Sequence, residues 1–271
     1  MSFKKWLVFS SASLFVASIN TVFAGTMGDV LAEPDWSGIY TGINLGGAIG
    51  SSNTKNNVTN WLHSGAGSIQ DWAYNEANHN TFFPASGVIG AQIGYNWQKD
   101  RLILGLETNF DFMKQTNSNS QAVVDPSTVA GNGYNYVSTA TLKTNWLYTI
   151  RPRVGYLFNH VMLYGTGGFA LTDLNYSITT ENDELAQFAT AGVGNKANAQ
   201  ARVGWAAGAG IEWMFVPNRW TLSLQYLYTD FDTLSGTQTV NNGVQVNGDT
   251  LFKQTATLSD NLITLRLNYL I

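Results

Sequence analysis

The chain has 271 residues, a net charge of −4, 12% charged residues, 27 glycines and no cysteine. Without thiols there can be no cysteine nucleophile, cysteine metal site or disulfide, and the acidic balance speaks against nucleic acid, which requires a basic patch. Past the N-terminus no apolar run reaches the roughly 20 residues of a spanning helix, so a membrane protein with this sequence has to be a closed barrel. The mean hydropathy of −0.07 agrees with strands that dilute apolar residues with polar ones.

At the N-terminus Lys4 and Lys5 precede an apolar run from Trp6 to Val16, broken by Ser10, Ser11 and Ser13, and Val22-Phe23-Ala24 places small side chains at a cleavage site. This pattern predicts a secretory signal over 1–24, cut after Ala24. A short polar periplasmic segment is expected over 25–35 and a barrel over 36–271. From Gly38 the hydropathy alternates with period two: Ile39, Thr41, Ile43 and Leu45 on one face, Tyr40, Gly42, Asn44 and Gly46 on the other. Such a period marks a strand. It returns over 87–98, and over 102–112 with Leu102, Leu104, Leu106 and Phe110 opposite Gly105, Glu107, Asn109 and Asp111. Over 146–156, Trp146, Tyr148, Ile150, Val154 and Tyr156 oppose Leu147, Thr149, Arg151, Arg153 and Gly155. Strands follow over 160–173, 202–215, 219–230 and 261–271, which makes eight, an even number as a closed bacterial barrel requires.

The connections alternate in length. Gln98–Arg101, Phe158–His160 and Val216–Arg219 are tight turns, whereas 51–86, 113–141, 175–200 and 232–258 are long. Short periplasmic turns and long external loops have this rhythm. The all-β rival is a soluble eight-stranded ligand-binding barrel with its apolar face inward. An eight-stranded interior is only wide enough for side chains to fill, and Trp97, Trp146, Trp205, Trp213, Trp220, Tyr148, Tyr226 and Tyr228 would not fit it together with the Leu and Ile of the same face. The Gly-, Ala- and Thr-rich polar face is therefore assigned to the lumen. Two aromatic bands are expected at the membrane interfaces: Trp97, Tyr156, Trp213, Phe215, Trp220 and Tyr269 towards the turns, and Phe110, Phe112, Trp146, Tyr228 and Phe231 towards the long loops.

The runs Trp36–Gly42, Gln92–Gln98, Gly105–Glu107, Arg151–Tyr156, Tyr164–Gly168, Gly208–Glu212 and Tyr226–Phe231 resemble, in order and spacing, the porin-family, OmpA-like small outer-membrane proteins. The resemblance covers nearly all of 36–271. It implies an eight-stranded antiparallel transmembrane β-barrel in the outer membrane of a Gram-negative bacterium. The chain departs from that pattern at Pro152, which removes a ladder donor inside a strand, and at Ile271, where such barrels usually finish on an aromatic residue read by the insertion machinery. Tyr269 is placed to substitute. The peptidoglycan-binding domain that some relatives carry after the last strand is not expected here.

The lumen charges are Glu107, Asp111 and Glu212 with Arg151, Arg153, Arg202 and Arg266, beside Gln92, Asn96, Gln225 and Thr264. Paired carboxylates can serve acid–base catalysis, but charges inside a narrow barrel are better explained as mutual neutralisation. A lipid-modifying enzyme would need a nucleophile beside a base. His63, His79 and His160 show no Ser–His–acid clustering, so no enzyme, metal or cofactor is expected. The glycines at 46, 47, 165, 167, 168, 208 and 210 sit in strands and signal no phosphate loop. The first loop carries Trp61, Trp72, Tyr74, Phe82 and Phe83, a sticky surface for a host ligand or a self-packed loop. Expected partners are outer-membrane lipid and lipopolysaccharide and the barrel-insertion machinery, in a structural or surface role with at most narrow solute passage. Loop-mediated adhesion is the alternative. On this register Leu224→Arg is expected to cost about 2–4 kcal/mol in lipid and Ser223→Arg less.

Overall fold

The computed structural model describes residues 34–59, 80–124, 135–182, 196–240 and 250–271. The leader expected over 1–24, most of the following segment, and Trp61, His63, Trp72, Tyr74 and His79 lie outside the described residues. The strands are β1 (Gly38–Thr59), β2 (Asn80–Phe82), β3 (Ala85–Lys99), β4 (Leu102–Val124), β5 (Asn135–Phe158), β6 (Val161–Asn182), β7 (Lys196–Val216), β8 (Trp220–Val240) and β9 (Thr250–Leu270). Each long strand pairs antiparallel with its sequence neighbour, and β9 pairs back onto β1 from Tyr40↔Leu270 to Thr59↔Leu251. Eight strands thus close a barrel without a free edge, the only way a sheet can meet hydrocarbon. The ninth, β2, continues the line of β3 along β1 beyond Pro84, whose carbonyl accepts the Gly50 N–H at 2.7 Å.

The tight turns are made by residues that tolerate the left-handed region. Asp100, Asn159 and Asn218 have φ of 54°, 56° and 55°, where Asn and Asp are the least strained side chains after glycine. At the opposite end the strands run further than the sequence indicates. Much of 51–59, 113–124, 135–141, 175–182, 196–200, 232–240 and 250–258, expected as loop, is strand. Strands of 21–24 residues span roughly 70–80 Å, against an apolar band of about 25 Å. Above that band the outward face meets water and no lipid, so its side chains turn polar and hydropathy alternates weakly although the backbone ladder continues and inward residues such as Thr54, Tyr176 and Ala256 stay buried. The register shifts where the strands leave the band, between Phe112 and Gln115, Lys143 and Leu147, and Phe231 and Leu234. Bulges at a barrel rim increase local twist and bend the strand. Asp173 fixes one of them: its Oδ1 accepts the N–H of Asn145 at 2.7 Å and of Trp146 at 3.1 Å.

The outward face is apolar, with Ile43, Leu45, Ile89, Ile93, Leu104, Val154, Trp205, Ile211, Leu224 and Ile263 exposed. Pro152 is also outward; it pairs with Leu106 on β4, while the β5–β6 pairing skips from Ile150↔Phe169 to Arg153↔Thr166. Inside, the lumen is layered and not uniformly polar as the sequence suggests. At the turn end Trp36, Ile103, Leu157, Met162, Met214 and Leu270 form one apolar layer, which Tyr40 and Tyr164 join. Towards the loop end Val88, Met113, Leu142, Leu147, Leu227, Phe231, Leu258 and Leu262 form a larger one. Phe231, expected in the outer aromatic band, therefore belongs to the lumen: the β8 bulge begins at Phe231, which keeps the inward parity of Thr221 to Thr229.

Candidate functional site

The inward side chains between the two apolar layers build a polar belt to which every long strand contributes. Its centre is Glu107 on β4, whose side chain is 2% exposed. Glu107 Oε1 meets Arg151 Nη2 and Arg266 Nη2 at 2.8 Å each, and Oε2 accepts the Tyr40 hydroxyl at 2.7 Å with Arg153 Nη1 at 3.7 Å. Arg153 also reaches Glu212 Oε2 at 3.1 Å, donates from Nε to Asn96 Oδ1 at 3.0 Å, and lies 4.6 Å from the Tyr40 ring centroid and 5.3 Å from that of Tyr164. Glu212 Oε1 accepts from Thr221 Oγ1 and Asn268 Nδ2.

The belt closes through amides and hydroxyls. Gln92 donates to Asn268 Oδ1 at 2.7 Å, and Asn44 Nδ2 donates to Gln92 Oε1 at 3.1 Å and to Asp111 Oδ1 at 3.0 Å. On the far wall Gln225 Nε2 donates to the Tyr164 hydroxyl at 3.1 Å, which shares a 3.0 Å hydrogen bond with Ser223. Three arginines face three carboxylates, so the belt is neutral as a whole. Each carboxylate has cationic or amide partners, and a carboxylate so paired is not stranded in low dielectric.

Glycines on the neighbouring strands make room for the two tyrosines. A Cβ at Gly94 would collide with the Tyr40 hydroxyl, and one at Gly210 would stand 2.5 Å from the Tyr164 ring. Glu107, Asp111, Arg151, Arg153, Glu212 and Arg266 are thus brought into one belt. Arg202 is not: it lies on the inward face nearer the loop end, half-buried and paired in register with Thr172. Thr264, 6% exposed, sits on the β9 wall beside Arg266. Tyr40, Tyr164, Asn44, Ser223 and Asn268 were not singled out by the sequence as belt members. Their inward parity and the facing glycines are the signal that could have found them. Ser223 stands in register between Glu212 on β7 and Arg266 on β9 and is 1% exposed, so an arginine there would face the carboxylate expected from the sequence, in a space that is already filled.

On the outside the aromatics gather in two groups. Trp97, Tyr156, Trp213, Trp220 and Tyr269 stand near the turn end, with Trp220 and Tyr269 in edge contact at 4.9 Å. Phe110, Phe112, Trp146, Trp205 and Tyr228 stand near the loop end, where Phe110 stacks on Trp146 at 6.0 Å and Trp205 meets Tyr228 at 5.4 Å. Among the described residues there is no cluster of three or more His, Asp or Glu able to hold a metal, and no helix is long and apolar enough to cross a membrane. His160 sits in a turn.

With the closed register, the outward apolar face and the lumen belt established, comparison with known proteins is direct. The family model for the outer membrane protein beta-barrel domain matches residues 18–268. The chain belongs to this family. It is 30% identical to the 31 kDa outer-membrane immunogenic protein of Brucella melitensis over 236 residues, covering 80% of this chain and 86% of that protein. It is also 30% identical to the 22 kDa outer membrane protein of Rhizobium leguminosarum bv. viciae, over 53% of each chain. Among solved structures, the outer membrane protein OprG from Pseudomonas aeruginosa aligns with a TM-score of 0.39 and 12% identity over 87% of this chain and 97% of its own. The outer membrane protease OmpT from Escherichia coli aligns with a TM-score of 0.45 and 9% identity over 86% and 96%. The protein is an outer-membrane β-barrel of a Gram-negative bacterium.

Proposed function

We propose that this barrel is a sealed structural element of the outer membrane, which maintains the envelope and displays its loop-end hairpins at the cell surface without chemistry of its own. The observation that carries the reading is the filled lumen. Trp36 and Arg151 have no exposed surface, and Arg153, Glu107, Met113, Leu262 and Arg266 have 1–2%. A side chain with almost no area open to a water-sized probe has no water-sized path beside it, and eight strands leave no general diffusion pore. The belt carboxylates are held by arginines, amides and hydroxyls and stand beside no His, and the hydroxyls that donate to them, Thr221 and Tyr40, are buried out of reach of a substrate.

The two aromatic groups would lie at the headgroup levels of the two leaflets. Display at the surface is supported by the relatives' description as immunogenic proteins and by strands that continue far past the apolar band. Purified protein in planar bilayers tests the sealed lumen: no steady conductance is expected, and stable large steps would refute it. A deletion strain tests the envelope role, with increased sensitivity to detergent expected and wild-type resistance counting against it.

A further inference from the structure

The outer face of the barrel, from β8 and β9 across β1 to β5, carries three adjoining features that match the parts of one amphipathic molecule. The first is an apolar groove of about 610 Å³ on the lipid side of the barrel, which runs from Leu222 and Leu265 on β8 and β9 across Ile43 and Leu45 on β1 and Ala91 on β3 to Phe110 and Phe112 on β4. It exists because Ala91 is small where its cross-strand partners, Ile43 and Phe110, are large. Its size is that of a site for a small apolar ligand.

The second feature is a pair of cations. Lys114 follows Phe112 by two residues on the same outward face of β4, and Lys143 stands one strand over, paired in register with Thr116. Both are exposed, and no described carboxylate lies within ion-pair distance of either. The carboxylate of Asp173, on the adjacent β6, is committed to the backbone amides of Asn145 and Trp146. The third feature, one step further from the membrane, is a row of exposed hydroxyls in which Ser118 bonds Thr141 at 2.9 Å and Ser120 bonds Thr139 at 2.8 Å.

Apolar groove, ammonium pair and hydroxyl row follow one another outward from the membrane. We infer that a phosphorylated glycolipid of the outer leaflet docks on this face, with an acyl chain in the groove, a phosphate between Lys114 and Lys143, and sugar against the Ser–Thr row. The charge decides against an uncharged lipid, and the loop end, which faces the leaflet opposite the short turns, decides the leaflet. The assignment rests on the strand register and the outer-membrane location, not on the sealed lumen. The other outward lysine pair, Lys55 and Lys253, lies ten residues beyond Leu45 along β1, roughly 33 Å from the groove, and is too far to share the ligand.

The test is binding of defined lipids to the full barrel in detergent, read by native mass spectrometry, with the heat-dependent gel shift reporting that every variant is folded. Bis-phosphorylated lipid A is expected to be retained, and lipid A stripped of both phosphates to bind about fivefold to tenfold less, the size of two exposed charge contacts. Lys114→Ala with Lys143→Ala should produce a similar loss, Ala91→Trp should weaken binding by filling the groove, and Lys55→Ala with Lys253→Ala should change nothing. Unchanged binding by the folded Lys114/Lys143 double variant would overturn the assignment, and so would phosphatidylglycerol binding as well as lipid A.

Discussion

Replacing Glu107 by glutamine keeps the size of the side chain and removes the charge on which three guanidinium groups converge. Its carboxylate oxygens lie 2.8 Å from Arg151, 2.8 Å from Arg266 and 3.7 Å from Arg153, and the side chain is 2% exposed. The belt would pass from three cations against three anions to three against two, in a space that its own side chains fill. Breaking a buried pair from one side costs about 3–5 kcal/mol, and convergence of three arginines places Glu107→Gln towards the upper end. The assay is the denaturant midpoint for folding in lipid vesicles, scored by the unboiled, faster gel band. Arg266→Gln added to Glu107→Gln restores neutrality, so the double variant should be more stable than the sum of the single losses, as expected for residues in one network. A loss below about 1 kcal/mol for Glu107→Gln, or strict additivity in the cycle, would refute the view that the belt is held by mutual neutralisation.

Leu224→Arg should cost about 2–4 kcal/mol by placing a cation in hydrocarbon, and Ser223→Arg less, because Glu212 stands opposite it on β7 to offset the charge although the space is filled; the same gel assay ranks the two. Trp36→Ala should lower stability by about 3–5 kcal/mol, the range for emptying a large core site, measured as a lower denaturant midpoint. Asp173→Ala removes the acceptor for two backbone amides at the β5 bulge, at about 1–3 kcal/mol, and hydrogen exchange at Asn145 and Trp146 should accelerate while exchange in the middle of β5 stays slow.

The barrel is legible in the sequence wherever one face of a strand meets lipid and the other meets the lumen. Ile43, Asn44 and Leu45, or Ile150, Arg151 and Pro152, declare their sides because the two environments demand opposite side chains. The same physics explains what was missed. Thr116 to Ser120 and Thr139 to Lys143 have water on the outside and no lipid, so their strand pairing leaves no period in hydropathy. Phe231 looks like an interfacial aromatic by residue type, and only its parity with Thr229 places it inside. The belt charges are readable as inward residues, but which of them meet depends on the shear between strands. That is why Arg266, far along the chain, reaches Glu107 while Arg202 does not. Glycines such as Gly94 carry part of the message, since a position without a side chain opposite a tyrosine marks where the ring must lie.

The position of Arg266 on the last strand has a consequence for how the barrel is assembled. Glu107 and two of its arginines belong to β4 and β5 and can meet in a hairpin, but the third arrives only with β9, and Tyr40 comes from β1. An open sheet in the membrane would hold a carboxylate without its full set of cations, and Arg266 without its carboxylate, beside two unpaired edges. The same step that joins β9 to β1 removes both defects at once. Closure is then proofread by charge as well as by backbone pairing: a barrel sealed in a shifted register would bring Arg266 to the wrong height, miss Glu107, and reopen more readily than one sealed correctly.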